Sequence, residues 1–311
     1  MANILVTGAA GFLGWHMVKY LKKKNHWVRA VDIHEPLWVK SAADEFIIYD
    51  LRDIHCMGDL FIGIDWIIHF AADEGGIDYK KTHKTQIVMN NAQLDSNVLE
   101  LAFMNNNISK VLITSSVKVE KLKTTDEFKS AEEAYLTSKF FLEKLCKMMK
   151  EEYHRDIRVA RLENVFGPFC HLSDGREKNI ASICKKIHQA KQNRYKEIEM
   201  LGDGYEVKRY LYVDDAVEGL YKFISNKEQS KPLNFYGQKK INLKELIQEM
   251  QKHMKIDVDI NWTGHLPANN CPDKDINADA SKWIDWKPKS DWDSNLEFTL
   301  NWINANIQDL K

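Results

Sequence analysis

Through the first half of the chain, short runs of β-branched and other apolar residues alternate with longer stretches whose apolar positions recur every three or four residues. The short runs, at 3–7, 27–32, 46–49, 66–70, 111–114 and 157–161, read as strands of four to six residues. Apolar runs of that length suit strands buried on both faces of a parallel sheet. The longer stretches, at 13–24, 91–106 and 134–152, read as helices. Strand and helix in alternation mean βαβ units, so the predicted architecture is α/β with a doubly wound parallel sheet.

The rhythm changes after the Gly167-Pro168 breaker. Helical patches at 179–192, 213–225 and 243–255 now dominate, and 264–280, with Pro267, Pro272 and several Asn and Asp, is loop-like. A last helix is predicted at 293–310. The expected division is a larger lobe over 1–165 and a smaller α/β lobe over 166–311, with some chain crossing between them.

Composition narrows the class without naming a chemistry. Hydrophobic residues at 44% and charged residues at 29% describe an ordinary globular protein, and a net charge of −1 offers nothing to nucleic acid or an anionic membrane. No apolar run reaches the roughly 18 residues of a membrane span. The five cysteines (Cys56, Cys146, Cys170, Cys184 and Cys271) are scattered, with no CxxC pair. That predicts free, mostly buried thiols in a reducing compartment, with neither a disulfide framework nor a metal site. The first residues already read as a strand, so no secretory leader is expected and the expected location is cytoplasmic.

The first strand runs into Gly8-Ala9-Ala10-Gly11-Phe12-Leu13-Gly14 and then a helix. Gly8 permits the tight turn, Gly11 lets backbone approach a pyrophosphate, and Gly14 allows close packing of helix on strand. The phosphates of a dinucleotide would lie on the positive end of that helix, with Phe12 and Leu13 among the contacts. Asp32 closes the second strand, where a carboxylate accepts hydrogen bonds from ribose hydroxyls and repels a 2′-phosphate. The sheet is therefore expected to be Rossmann-type, with NAD as cofactor. A glycine turn without a ligand is the plain alternative, and the strand–turn–helix context weighs against it.

Tyr135 and Lys139 stand one helical turn apart, so both side chains share a face. A phenol with an ordinary pKa near 10 is a poor base at neutral pH, and a nearby ammonium lowers that value. Such a pair is common by chance on a helix face. Ser115-Ser116, closing the fifth strand just upstream, makes chance a poor explanation.

Together with the glycine spacing, Asp50-Leu51 after the third strand and Ala71-Ala72 after the fourth, these residues resemble the extended short-chain dehydrogenase/reductase family. The resemblance implies that Asp50 and Leu51 hold the adenine and that Ala71 and Ala72 line the cofactor cleft. It implies that Tyr135 and Lys139 remove a proton from a substrate hydroxyl while NAD takes the hydride. Ser116 would hydrogen-bond that hydroxyl, and Ser115 would be structural. The stretch Arg161-Leu-Glu-Asn164-Val-Phe-Gly167-Pro168 resembles members acting on nucleotide sugars, with Asn164 at the substrate; a simple strand-to-loop transition is the alternative.

Three further stretches resemble the branch of 3,5-epimerases acting on GDP-mannose. They are Asp44-Glu45-Phe46 with Asp50-Leu51-Arg52, Asp73-Glu74-Gly75-Gly76 with Asn90-Asn91, and Gly175-Arg176-Glu177-Lys178 with Gly202-Asp203-Gly204. That branch oxidises C4 of the sugar and inverts C3 and C5 with a cysteine two residues after the serine and the lysine that falls here on Lys178. Gly75 and Gly76 would face the substrate.

The chain departs from the branch at the cysteine position, where it carries Lys118. Two lysines facing one ring would lower each other's pKa, so an acid/base pair survives. Alternatively, Lys118 pairs only with a phosphate or with Glu120, and 3,5-inversion is lost. The expected phosphate arginines fall on Lys208, with Arg209 adjacent, and on Lys274 and Ile276. Lysine holds a phosphate as a point charge and not as a fork. Lys186, about two helical turns after Lys178, matches a substrate-facing lysine or lies on a solvated helix face. A 4,6-dehydratase is disfavoured, because Val117-Lys118 supplies neither carboxylate of its Asp-Glu pair.

The resemblance thus implies a nucleotide-diphosphate sugar as substrate, a GDP-sugar by preference, and a homodimer paired through the helices at 91–106 and 134–152. The functions in play are an epimerase, a C4 dehydrogenase or reductase without inversion, and a non-catalytic NAD-binding scaffold.

Overall fold

The structure is a computed structural model that describes residues 1–122, 132–226, 231–264, 275 and 277–307. Strands and helices alternate as β1 (Asn3–Thr7), α1 (Phe12–Lys23), β2 (Trp27–Asp32), β3 (Glu45–Ile48), β4 (Trp66–His69), α2 (Ile77–Thr82), α3 (Lys84–Met104), β5 (Lys110–Ser116), α4 (Glu133–Tyr153) and β6 (Ile157–Leu162). Then follow β7 (Asn164–Phe166), α5 (Asn179–Asn193), β8 (Glu197–Met200), β9 (Val207–Tyr212), α6 (Val213–Ser225) and β10 (Leu233–Phe235). The chain ends through β11 (Lys239–Asn242), α7 (Leu243–Met254), β12 (Asp259–Trp262) and α8 (Trp292–Asn306).

Seven strands form one parallel sheet in the order β10-β6-β5-β4-β1-β2-β3. It is doubly wound, as the alternation predicts. Along β1, Ile4 and Val6 join a core with Met17, Val18 and Leu21 of α1 and Leu220 and Phe223 of α6. Leu5 between them points the other way, into a core with Leu94 and Val98 of α3 and Leu142 and Cys146 of α4. With both faces covered, the strand must be apolar throughout, which is why the sequence shows a continuous run there.

A second core gathers Ile183 and Ile187 of α5, Leu246 and Met250 of α7, and Leu296 and Leu300 of α8. It is flanked by the sheets β11-β9-β7 and β12-β8. Residues beyond 165 serve both cores, since α6 packs against α1 and β10 adds to the edge of the large sheet.

Two of the shifts in predicted boundaries concern elements at the site. α3 starts at Lys84 rather than near 91, because its exposed first turn carries Lys84, Thr85 and Gln86 and only Ile87 turns inward. β5 runs on through both serines, since Ser115 and Ser116 still pair with Arg161 and Leu162 of β6. Among the described cysteines, all free, Cys146 and Cys184 are buried, Cys170 is half-buried and Cys56 is exposed. No helix among the described residues is long and apolar enough to cross a membrane.

Candidate active site

The strand order reverses between β1 and β4, and the crevice beyond their carboxyl ends is where a doubly wound sheet takes its ligand. Gly8 has φ +65°, and a Cβ there would lie 2.5 Å from the amide nitrogen of Ala71. A Cβ on Gly14 would lie 2.1 Å from the Gly8 carbonyl oxygen. Neither position tolerates a side chain. Gly11 precedes α1 and turns its amide to the Gly8 oxygen at 3.1 Å, with Phe12 and Leu13 opening the helix.

Asp32 accepts from the Ala10 amide at 2.8 Å and from that of Ile33 at 2.7 Å, tying the end of β2 to the glycine turn. Arg52 forks onto Asp50, and this hydrogen bonding holds the Asp50 carboxyl below its ordinary value despite burial. Leu51 is buried beside them, while Ala71 and Ala72 follow β4 half-buried.

Tyr135 and Lys139 both sit in α4, with the Lys139 ammonium 5.8 Å from the centre of the Tyr135 ring. Lys80 of α2 lies closer, its ammonium 4.5 Å from the same ring. The Tyr135 phenol nevertheless stands well above its ordinary pKa. Burial is the main cause, followed by the charge of Glu74, which also hydrogen-bonds the phenol, and by Asp95 and Glu132. This corrects the expectation that a neighbouring ammonium sets the value, for burial and three carboxylates outweigh it.

At the end of β5, Ser116 accepts from the Lys118 amide at 3.3 Å. The Ser115 hydroxyl is turned away and donates to Glu143 at 2.6 Å.

Lys118 does not pair with Glu120. Arg161, beside β5 on β6, takes Glu120 at 2.5 Å, and Lys118 reaches Glu132 at 2.7 Å instead. Lys80 lies 3.3 Å from Glu74 and 4.0 Å from Glu132, and Lys178 is paired with Glu74. Lys178, Glu74, Lys80, Glu132 and Lys118 therefore form one chain of alternating charge beside Tyr135. Burial raises both carboxyls, but the lysines outweigh it, holding Glu74 at about 2 and Glu132 below its ordinary value. Lys178 is pushed down by burial, against the pull of Glu74 and with help from Lys80 and Lys139. Half of its side chain remains accessible, so solvent screens part of the effect.

The two stretches with the 3,5-epimerase pattern meet in space. A Cβ on Gly76 would lie 2.5 Å from the Glu177 carbonyl oxygen, and one on Gly75 would strike the Tyr79 ring. Arg176 lies over that ring at 4.0 Å and donates to the Glu74 carbonyl at 2.8 Å and to the Tyr79 hydroxyl at 2.7 Å. The loop that carries Lys178 is thus fastened to the loop that carries Glu74.

The remaining candidates scatter. Asn164 donates to the Arg209 carbonyl at 2.9 Å, joining β7 to β9. Lys186 donates to the Glu199 carbonyl at 2.9 Å, and Lys208 pairs with Glu206 at 3.2 Å. Arg209, the next residue along β9, is buried, pairs with Glu163 at 2.8 Å and faces the Tyr236 ring. Its expected role at a phosphate gives way to a structural one, because strand alternation sends it to the opposite face from Lys208. Lys274 and Ile276 lie outside the described residues.

The family model for the NAD dependent epimerase/dehydratase family matches residues 4–243. The chain belongs to that family. It is 27% identical over 322 residues to GDP-mannose 3,5-epimerase 1 of Oryza sativa subsp. japonica, covering 98% of this chain and 82% of that protein. It is also 27% identical over 309 residues to UDP-glucuronic acid decarboxylase 6 of Arabidopsis thaliana, covering 92% and 84%. In fold it is similar to the UDP-glucose 4-epimerase of Thermotoga maritima, with a TM-score of 0.81 at 20% identity over 98% and 99% of the two chains.

Family membership makes this an NAD-dependent enzyme, and the close-packed glycine turn leading from β1 into the N-terminus of α1 fits the pyrophosphate of the cofactor. Asp32, with Ile33 and His34 following and no Lys or Arg beside it, predicts preference for NAD over NADP. Calorimetry should show the tighter binding for NAD, and stronger NADP binding would remove Asp32 from the ribose site.

Lys80 and Glu132 escape sequence reasoning, and Glu74 enters it only as part of a pattern. Nothing local marks any of them. α2 is a six-residue helix, and Glu132 precedes α4 in an ordinary acidic stretch.

Proposed function

We propose that the chain is a nucleotide-sugar epimerase acting through transient oxidation at C4, in the manner of the GDP-mannose 3,5-epimerases. Bound NAD supplies the hydride acceptor. Tyr135 takes the proton of the C4 hydroxyl, Ser116 steadies that oxygen, and Lys139 supports the phenolate. The ketone acidifies the neighbouring C–H bonds, and Lys118 and Lys178 exchange protons there. The first lobe, 1–165, would carry the cofactor and 166–311 the sugar. Lys208 is the candidate for the diphosphate.

One observation carries this proposal. Lys118 and Lys178 each reach the surroundings of Tyr135 through a carboxylate of their own, Glu132 and Glu74, so that two proton carriers approach one reacting position. A homodimer would pair through α3 and α4, on which Met104, Phe141 and Met148 are exposed.

The test is the near-ultraviolet absorbance of NADH as GDP- and UDP-sugars are added to the NAD-loaded protein. A transient rise that decays as hydride returns is expected. A sustained rise would signal a net C4 dehydrogenase, and silence with every sugar would leave a binding scaffold.

A further inference from the structure

Lys80 is 6% exposed, yet no carboxylate is its own. Its nearest partner, Glu74, is paired more closely with Lys178, and its other, Glu132, more closely with Lys118. An ammonium has three protons to donate, and among the described residues Lys80 has Glu74 at 3.3 Å, Glu132 at 4.0 Å and the face of the Tyr135 ring at 4.5 Å, which leaves it short of oxygen acceptors. The imbalance extends to the whole cluster. Among the described residues, Lys80, Lys118, Lys139 and Lys178 bring four ammoniums from four segments to the surroundings of Tyr135, against the carboxylates of Glu74 and Glu132. Asp95, whose charge also reaches Tyr135, is tied to His69 at 2.8 Å, and with it counted the ammoniums of the described residues still outnumber their carboxylates. Tyr135 does not redress the balance, since burial and Glu74 keep it a neutral phenol.

We propose that Lys80, flanked by Lys118 and Lys178, forms an anion subsite beside Tyr135, and that the substrate is a nucleotide-linked sugar carrying a carboxylate on its ring. The proposal rests on Tyr135 acting on a nucleotide-linked sugar, but not on which carbons are inverted. Excess positive charge among partly buried groups is unfavourable until an anion arrives, and a bound anion there meets fixed ammoniums in place of some of its water. The position selects the ligand group. With Tyr135 acting at C4, charges around the phenol would face the sugar ring, and Lys208, on β9, paired with Glu206 and near enough to Glu132 to lower its pKa, is the candidate for the adjoining diphosphate. A neutral hexose brings only hydroxyls to this place. A carboxylate brings two charged oxygens, enough to engage Lys80 and one of its neighbours together.

Calorimetry on the NAD-loaded protein tests this with matched pairs, UDP-glucuronate against UDP-glucose and GDP-mannuronate against GDP-mannose, with UDP and GDP alone as controls. In at least one pair the acid should bind tenfold or more tighter than its neutral twin, and the gap should narrow as salt is raised. Lys80→Met should close the gap. Since Lys80 is buried and its loss could unfold the site, Lys118→Gln is the second variant, expected to narrow the gap in a protein with wild-type melting behaviour. Equal or tighter binding of the neutral sugars, or no binding by either member of both pairs, overturns the proposal. So does a nucleoside diphosphate that binds as tightly as its sugar acid, which would assign the lysines to the diphosphate. Transient NADH from a neutral sugar, with no preference for the acid, would retain the epimerase and remove the anion subsite. An acid that binds tightly and never reduces NAD would do the reverse.

Discussion

Tyr135→Phe will lose nearly all hydride transfer while binding NAD about as well as the wild-type protein. The substitution removes one hydroxyl and little volume, so the half-buried ring keeps its place under Lys80. What disappears is the acceptor for the sugar's hydroxyl proton, and a positioned acid or base contributes on the order of 10²–10⁴-fold. Single-turnover reduction of bound NAD measures the step. A variant retaining more than a tenth of the rate would mean that the base lies elsewhere.

The environment of this phenol adds a sign to the same prediction. Burial and the Glu74 carboxylate raise the Tyr135 pKa, so the phenolate needed for proton removal becomes more populated as pH rises. The rate should therefore climb on the alkaline side. Glu74→Gln removes the negative charge while leaving the lysines, so it should lower the Tyr135 pKa and move that climb to lower pH. An unchanged or opposite displacement would show that Glu74 does not govern Tyr135.

Replacing Lys118 or Lys178 by Met should separate oxidation from inversion. In heavy water the wild-type enzyme is expected to place deuterium at both carbons flanking C4, and each variant should lose exchange at the carbon its lysine serves. Reduction of NAD should persist in both. C–H bonds beside a carbonyl exchange only after hydride has left C4, and each needs its own base within hydrogen-bonding reach. The loss at the affected carbon should again be on the order of 10²-fold or more. Lys178 is the stronger candidate for base, because desolvation moves its ammonium pKa down despite the pull of Glu74. If wild-type enzyme oxidises the sugar yet incorporates no deuterium, the protein is a dehydrogenase or reductase. Exchange at one carbon alone would make it a single-centre epimerase and leave Lys118 to substrate binding.

The pairing of Lys118 with Glu132 also bears on dehydration. The Asp-Glu pair of a dehydratase is absent after Ser116, but Glu74 and Glu132 bring two carboxylates to Tyr135 from other segments. Both are held ionised by lysines, so neither is the protonated acid that elimination of water requires.

What the chain determined by itself lies within single elements or between immediate neighbours. The turn Gly8 to Gly14 is legible because a strand, three glycines and a helix follow one another directly, and Asp32 because it ends the next strand. Tyr135 and Lys139 are legible because one helical turn fixes their common face. The parallel sheet is legible because burial on both faces leaves its strands uniformly apolar. Only the tertiary structure decided which charges share the site. Glu74 and Lys178 are more than a hundred residues apart in sequence, and their pairing depends on Arg176 fastening one loop to the other. Arg209 and Lys208 look alike in sequence, and the packing of β9 alone makes one a buried strut and leaves the other at Glu206. Tyr135 carries the plainest lesson, for Lys139 predicts a lowered pKa and the folded protein raises it. A pKa depends on burial and on the distances to every nearby charge, and folding sets both by bringing distant residues together.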